Sequence, residues 1–252
     1  MKISLITTTY NISATLRDTM ESVLGQTYTD VEYIVVDGAS SDGTVEIIKE
    51  YEPRFGGRMR WISEKDKGLY DAMNKGIRHA TGTYIVFLNA GDVFPSRDTL
   101  DTIAARVGEG EALPGVLYGD TQIVNSHGHV LGLRRLRPPR HLTWRSFRRG
   151  MLVCHQAFYA RTDLAKETPY DLQYRFSADV DWCIRIMQLC AKRKLAIRNV
   201  EEVIVNYLNE GMTEQNHKAS LKERFHVMVN HYGWAITVLM HGWFVVRSVV
   251  KR

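Results

Sequence analysis

Residues 83–88 read TYIVFL, an almost unbroken apolar run of strand length that stops abruptly at Asn89-Ala90-Gly91-Asp92. A strand that is apolar on both faces has to be covered on both faces, as a central strand of a helix-flanked parallel sheet is. The chain before it meets that demand by alternating strand-like and helix-like segments at βα spacing. Strands are expected over 3–8, 31–37 and 59–63. Between them Leu16, Met20, Val23 and Leu24 share one helical face that Gly25 terminates. Val45, Ile47, Ile48 and Tyr51 follow the N-cap oxygens of Ser40, Ser41 and Asp42. A third helix carries Leu69, Met73 and Ile77, with Ala72, Gly76 and Ala80 as a small-residue face able to approach a sheet closely.

Beyond about residue 112 the pattern changes to short strands over 116–118, 121–124 and 130–133, read as hairpins with a Ser126-His127-Gly128 turn. A strand over 152–159, a helix from Asp179, strands over 195–197 and 203–207 and a helix within 213–232 follow. These boundaries suggest a domain over 1–210, made of halves 1–112 and 113–210, with a helical extension over 211–252. Arg134, Arg135, Arg137, Arg140, Arg145, Arg148 and Arg149 crowd around Pro138-Pro139. Residues 234–250 are strongly apolar but shorter than the roughly 20 residues of a spanning helix, and His241, Gly242 and Arg247 interrupt them. They read either as a helix docked on its own domain or as an interfacial helix. The second reading sets Trp234 and Trp243 at headgroup depth, with Arg247, Lys251 and Arg252 beyond.

Composition narrows the function classes. Charged residues at 24% and hydrophobics at 44% are ordinary globular values that exclude disordered and collagen-like chains. A net charge of +5, with no nucleic-acid reader motif, argues against nucleic acid as a partner. Cys154, Cys183 and Cys190 make no metal cluster or disulfide framework. The opening MKISLITTTY lacks the longer apolar stretch and cleavage site of a signal peptide, so a cytoplasmic protein is expected. No GxGxxG after a strand, GxxxxGK[ST], GxSxG or HExxH is present, which disfavours dinucleotide dehydrogenases, P-loop NTPases, α/β-hydrolases and zincins.

Carboxylates at segment ends remain: Asp37 and Asp92 stop strands, Asp66 follows the third one, and Asp179 and Asp181 open a helix. Ligands of open parallel sheets sit outside the carboxyl ends of the strands, so these are the residues to examine. Any one of them alone has an ordinary use as a cap or an ion-pair partner. Their setting is more specific. Thr7-Thr8-Thr9-Tyr10-Asn11, residues 34–44 (IVVDGASSDGT), residues 68–76 (GLYDAMNKG) and Ala80-Thr81-Gly82 leading into Phe87-Leu88-Asn89-Ala90-Gly91-Asp92 follow one another in order. In these runs the chain resembles the family 2 glycosyltransferases, inverting enzymes of the GT-A fold, and within them bacterial exopolysaccharide enzymes of the colanic-acid type. Weaker likeness continues through 154–158, 170–171 and 177–179.

The resemblance implies a GT-A (Rossmann-like) α/β fold, with a mostly parallel central sheet flanked by helices, a small acceptor-side subregion and C-terminal helices. It implies a donor that is a UDP- or GDP-linked sugar, with Thr8, Tyr10, Asp37, Asp66, Asn89, Ala90 and Gly91 around the nucleotide. Asp92 is the candidate ligand of a divalent cation, Mn²⁺ or Mg²⁺, because such ions take one or two carboxylates and complete their shell on phosphate oxygens. The family's acidic run is reduced here to Asn89-Ala90-Gly91-Asp92, and Gly38 stands where many members have a second Asp. Asp179 is the implied general base, preceded by Ala178 where many members carry Glu, and Asp181 is the alternative. His155, Gln156 and Trp182 are expected on the acceptor side, the first two as hydrogen-bonding groups and Trp182 as an apolar face for a sugar. The acceptor would be a saccharide or a polyprenyl-diphosphate-linked glycan, met at an anionic membrane surface by the basic segment and the terminal helix. A sugar nucleotidyltransferase, or a non-catalytic carbohydrate- or lipid-binding module on a degenerate scaffold, are the alternatives.

Overall fold

Strand β1 (Ile3–Thr9), buried at every position, lies between β2 (Val31–Asp37) and β4 (Tyr84–Phe87), with β3 (Met59–Ser63) beyond β2 and all four parallel. The computed structural model describes residues 1–108, 113–209 and 217–250, without the side chains of 217–218 and 245–250. In register, Thr9 stands beside Asp37 and Asp37 beside Ser63, so the carboxyl ends of three strands finish level along one edge. Helices α1 (Ser13–Leu24), α2 (Thr44–Tyr51) and α3 (Leu69–His79) complete the βα units. The small-residue face of α3 does what its composition suggests: a Cβ at Gly76 would overlap Ile6 Cγ2 of β1. Of the three expected cap oxygens only Asp42 serves α2. It accepts the N–H of Thr44 at 3.1 Å and of Ser13 at 3.0 Å, tying the starts of α2 and α1 together.

The second half extends the same sheet. Strand β7 (Phe158–Arg161) runs antiparallel between β4 and β5 (Val116–Val124), β6 (Val130–Leu133) pairs antiparallel with β5, and β8 (Ile197–Leu208) runs parallel to β5. Three expectations change here. The strands read over 116–118 and 121–124 are one, since Gly119 is a close approach and no break: a Cβ there would lie 2.7 Å from the carbonyl of Glu202 in β8. The strands over 195–197 and 203–207 are likewise one. The strand expected over 152–159 is mostly irregular, with a 3₁₀ turn over His155–Ala157 before β7. Short helices α4 (Thr99–Ala105) and α5 (Thr162–Glu167) have no counterpart in the sequence reading.

Helix α6 (Ala178–Arg193) packs on a cluster of rings at the sheet centre. There Trp182 is fully buried, stacked on Tyr170 at 4.9 Å and edge-on to Phe87 and Phe158. Helix α7 (His217–Tyr232) is bonded to the start of α6 at two levels: Glu223 takes the N–H groups of Arg175, Phe176 and Ser177 just before it, and His231 meets Asp181 at 2.7 Å. Helix α8 (Trp234–Val250) docks through Ile236, Thr237 and Met240, while Trp234, Val238, Leu239 and Trp243 stay exposed. Its inward face packs on the domain, and its outward face is exposed. Among the described residues no helix is long and apolar enough to cross a membrane. Residues 213–216, Lys251, Arg252 and the side chain of Arg247 lie outside what is described.

Candidate active site

The loops that leave β1 and β2 are laced to each other. Asn11 donates its N–H to Ser40 Oγ at 2.9 Å and accepts that of Ser41 at 2.9 Å, and both Asn11 and Ala39 take left-handed backbone angles (φ 49° and 62°). Strain of this kind persists only where surrounding contacts over-determine it. Asp37 supplies much of that determination. It is fully buried, and its two oxygens accept from Thr9 Oγ1, Ser40 N–H and Oγ, and Ser63 Oγ. A carboxylate offers about four lone-pair sites, so all are used within the protein. Expected to face the nucleotide, Asp37 instead spends its oxygens within the protein, bracing the loop that follows β2.

What that loop presents is Gly38, between Tyr10 and Asp66. A Cβ at 38 would lie 2.8 Å from Asp66 Oδ2 and 3.2 Å from a Tyr10 ring carbon, so the glycine is what lets the two close on this point. Tyr10 is 68% exposed and Asp66 half-buried, its Oδ1 held by the N–H of Gly68 at 2.8 Å. In β1, where Thr8 pairs with Val36, Thr8 Oγ1 is buried with no hydrogen-bond partner.

The turn after β4 is pinned from α1: the N–H of Gly91 donates to Thr19 Oγ1 at 2.8 Å, and that hydroxyl donates to the carbonyl of Asp92 at 2.9 Å. Gly91 has φ 100°, and a Cβ on it would press on Leu208 Cδ2 at 2.7 Å. Ala90 lies partly buried against the core. The Asp92 carboxylate is 3% exposed, accepting from the N–H of Leu208 at 3.0 Å and from Gln156 Nε2 at 2.9 Å. Burial pushes its carboxyl up to about 6 against the pull of those hydrogen bonds. Gln156 therefore belongs with Asp92, and its expected acceptor-side place is corrected by its 2% exposure and this bond.

At the start of α6 Asp179 is reached from two sides. Tyr70 of α3 donates its hydroxyl to Oδ1 at 3.2 Å, and His155 Nδ1 lies 3.5 Å from Oδ2. His155 Nε2 is in turn 3.3 Å from Asn89 Nδ2. With the Asn89 amide so oriented it can only donate, so Nε2 accepts and Nδ1 carries the proton toward Asp179. One imidazole thereby joins the strand-end turn of β4 to the acid of α6. Burial pushes the Asp179 carboxyl up, but His155 and the charge of Arg224 outweigh it and hold it below the usual carboxylate range. It is ionised at neutral pH.

The alternative acid, Asp181, is 5% exposed and paired with Arg185 at 2.6 Å and His231, an internal strut. Trp182, with no exposed surface, offers no face to a sugar. Sequence reasoning missed Tyr70 and Asn74. Asn74 exchanges two hydrogen bonds with the backbone of Tyr170, at 2.9 and 2.7 Å. Their i, i+4 spacing in GLYDAMNKG, on a helix whose small residues face the sheet, was the available signal.

Among the described residues no group of three or more His, Cys, Asp or Glu side chains is arranged to hold a metal. The residues do fit a hard cation that takes most of its shell from a diphosphate. Asp92 keeps about two of its four lone pairs open, and Asn89 Oδ1 is buried without a partner.

A model of the family described as glycosyl transferase family 2 matches residues 4–167. Over 211 residues the chain is 36% identical to a PGL/p-HBAD biosynthesis glycosyltransferase of Mycobacterium bovis, an overlap of 82% of this chain and 76% of that one. Among solved structures, residues 1–349 of S. aureus TarS in complex with UDP-GlcNAc superpose with a TM-score of 0.71 at 18% identity, over 91% of this chain and 66% of that one. The mannosyltransferase PcManGT from Pyrobaculum calidifontis, in complex with GDP-Man and Mn²⁺, gives 0.61 at 19% identity, over 93% of this chain and 64% of that one. At such identities the likeness is one of fold, and the chain spans just under two thirds of either solved neighbour.

Proposed function

The chain belongs to glycosyl transferase family 2, and from that premise we propose that it moves a sugar from a nucleotide-diphosphate donor to an acceptor hydroxyl with inversion, Asp179 acting as general base. It is a nucleotide-sugar glycosyltransferase of the GT-A fold. The observation that carries the finer reading is the line Asp179–His155–Asn89, which sets an ionised acid across from the strand-end turn of Asp92.

The nucleotide lies over Gly38, its base against the exposed ring of Tyr10 and its polar edge toward Asp66 and Thr8 Oγ1. UDP- and GDP-sugars are both candidate donors, as the ligands of the two solved neighbours suggest. The diphosphate lies at the β4 turn, where Asn89 and Asp92 would hold Mn²⁺ or Mg²⁺. That ion supplies positive charge to the leaving group. Asp179 takes the acceptor proton as the hydroxyl oxygen attacks the anomeric carbon. The new glycosidic bond forms, the bond to the diphosphate breaks, and its electron pair leaves with the nucleoside diphosphate. Tyr70 and His155 orient the base.

The acceptor is a saccharide or a polyprenyl-diphosphate-linked glycan, met at an anionic membrane surface. This rests on the exposed apolar face of α8 and the arginines beside its root. Arg145 lies 4.7 Å over the Trp144 ring and Arg148 5.3 Å over Tyr232, whose hydroxyl donates to the carbonyl of Trp144 at 2.5 Å.

The test is product analysis with UDP- and GDP-sugar panels. Release of nucleoside diphosphate, with an inverted anomeric configuration by NMR, is expected. Inorganic diphosphate as product would assign a nucleotidyltransferase instead.

A further inference from the structure

Strand β6 buries none of its large side chains. Val130, Leu131 and Leu133 are 54%, 57% and 43% exposed, and none of them packs on the core. Neighbours in a strand point to opposite faces, so the β5–β6 hairpin is apolar on both sides and covered on neither. It also ends the sheet, a position where soluble proteins place charges to keep other chains off. An apolar projection of this kind marks a surface that something else covers.

The chain that follows identifies the covering. From Thr121 to Thr162 it carries no Asp or Glu. The arginines of 134–149 come directly after β6, and among the described residues their one ion pair is that of Arg137 with Asp120. Arg135, Arg140, Arg145 and Arg149 are exposed. This basic strap leads from the hairpin to the root of α8. Near its start Arg134 Nη1 donates to the carbonyls of Leu136 and Met151, at 3.0 and 2.7 Å, and further on the Trp144 ring stacks on Tyr232 at 5.7 Å. Exposed apolar elements therefore flank the strap, β6 before it and the outer face of α8 where it docks. Pairing of β6 with a second copy would bring the arginines of the two chains together, which disfavours self-association. Apolar side chains beside unpaired arginines suit an anionic lipid surface, whose acyl boundary takes the former and whose phosphates take the latter.

We infer that the β5–β6 hairpin is a membrane contact in its own right, dipping Val130, Leu131 and Leu133 into an anionic bilayer while the strap lies on the headgroups. This rests on the membrane-surface reading of the acceptor.

The experiment is co-sedimentation of the full chain with vesicles of equal parts phosphatidylglycerol and phosphatidylcholine, and with phosphatidylcholine alone. The wild type is expected to bind the anionic vesicles and not the neutral ones. Leu131→Ser with Leu133→Ser should weaken that binding by about 10-fold, with thermal unfolding unchanged because both side chains are exposed. A second measurement places the hairpin directly. The native cysteines are buried, so an environment-sensitive fluorophore on Leu131→Cys reports that position alone, and its emission should shift to the blue on anionic vesicles. If the wild type binds but the serine variant binds equally well, or the label does not shift, the inference is overturned and the α8 contact stands. A dimer that the serine variant abolishes, with vesicle binding intact, overturns it in favour of a second copy. A wild type that binds no anionic vesicle overturns the membrane-surface reading itself.

Discussion

In the β1–β4 half, the candidate groups sit where strands end, on loops and turns tied to neighbouring strand ends and to α1. The turn of Asp92 is fixed by its own strand and by Thr19, and Tyr10 and Asp66 close on a glycine. In the second half the proposed base is held by side chains from three distant places: Tyr70, His155 and, through the start of α6, Glu223. The difference teaches where each function is vulnerable. On the proposed reading, nucleotide binding would depend on local geometry that many substitutions leave alone, whereas the base would depend on struts that one substitution removes.

The largest expected effect breaks the two halves apart. Asp179→Asn should lower kcat by about 10²- to 10⁴-fold, as loss of a general base does, with nucleotide affinity unchanged in calorimetry. A parallel fall in affinity would mean that the acid serves the donor as well.

An acid at the opposite, amino end of the strands makes a control. Glu32 is 7% exposed; burial pushes its carboxyl up, but hydrogen bonds from Ser4, Thr81 and Lys2 bring it down to about 2. That depression corresponds to roughly 3 kcal/mol of stability at neutral pH. Because the folded value lies below the unfolded one, the contribution is present above the ordinary carboxylate range and is lost as pH falls from there through about 2. Glu32→Gln should lower stability at pH 7 and flatten the acid limb of a urea-unfolding series. An unchanged limb would contradict this.

Glu223→Gln should cost about 2 kcal/mol, since it removes the charge from the backbone bonds at residues 175–177. It should also lower kcat by loosening the start of α6. Normal turnover in the destabilised variant would show that the strut does not reach the base.

The smallest effect on stability belongs to the exposed face of α8. Leu239→Ser with Trp243→Ser should change unfolding by less than about 0.5 kcal/mol. Flotation with anionic liposomes should fall, and equal flotation of wild type and variant would remove the membrane from the account.

Legibility in the sequence divides along the same line. The strand over 31–37 and the turn after β4 are readable because burial on both faces and an abrupt polar stop are local patterns. Gly119 reads as a break because the carbonyl of Glu202 that requires it lies far along the chain. The turn at His155 has no local signature, since Asn89 and Asp92 of the β4 turn and Asp179 of α6 hold His155 and Gln156 from two other segments. Asp37 illustrates the opposite limit: its place at a strand end was legible, but the four contacts that occupy it were not.

The most direct test of the central claim, that the β4 turn holds the diphosphate while α6 supplies the base, is calorimetry of UDP and GDP. Wild type, Asp92→Asn and Asp179→Asn are each titrated with Mn²⁺ and with EDTA. One nucleotide should bind the wild type in a metal-dependent way, Asp92→Asn should lose that dependence, and Asp179→Asn should keep it. If neither nucleotide binds the wild type, or if EDTA changes nothing, the assignment of Asp92 and of the donor site is contradicted.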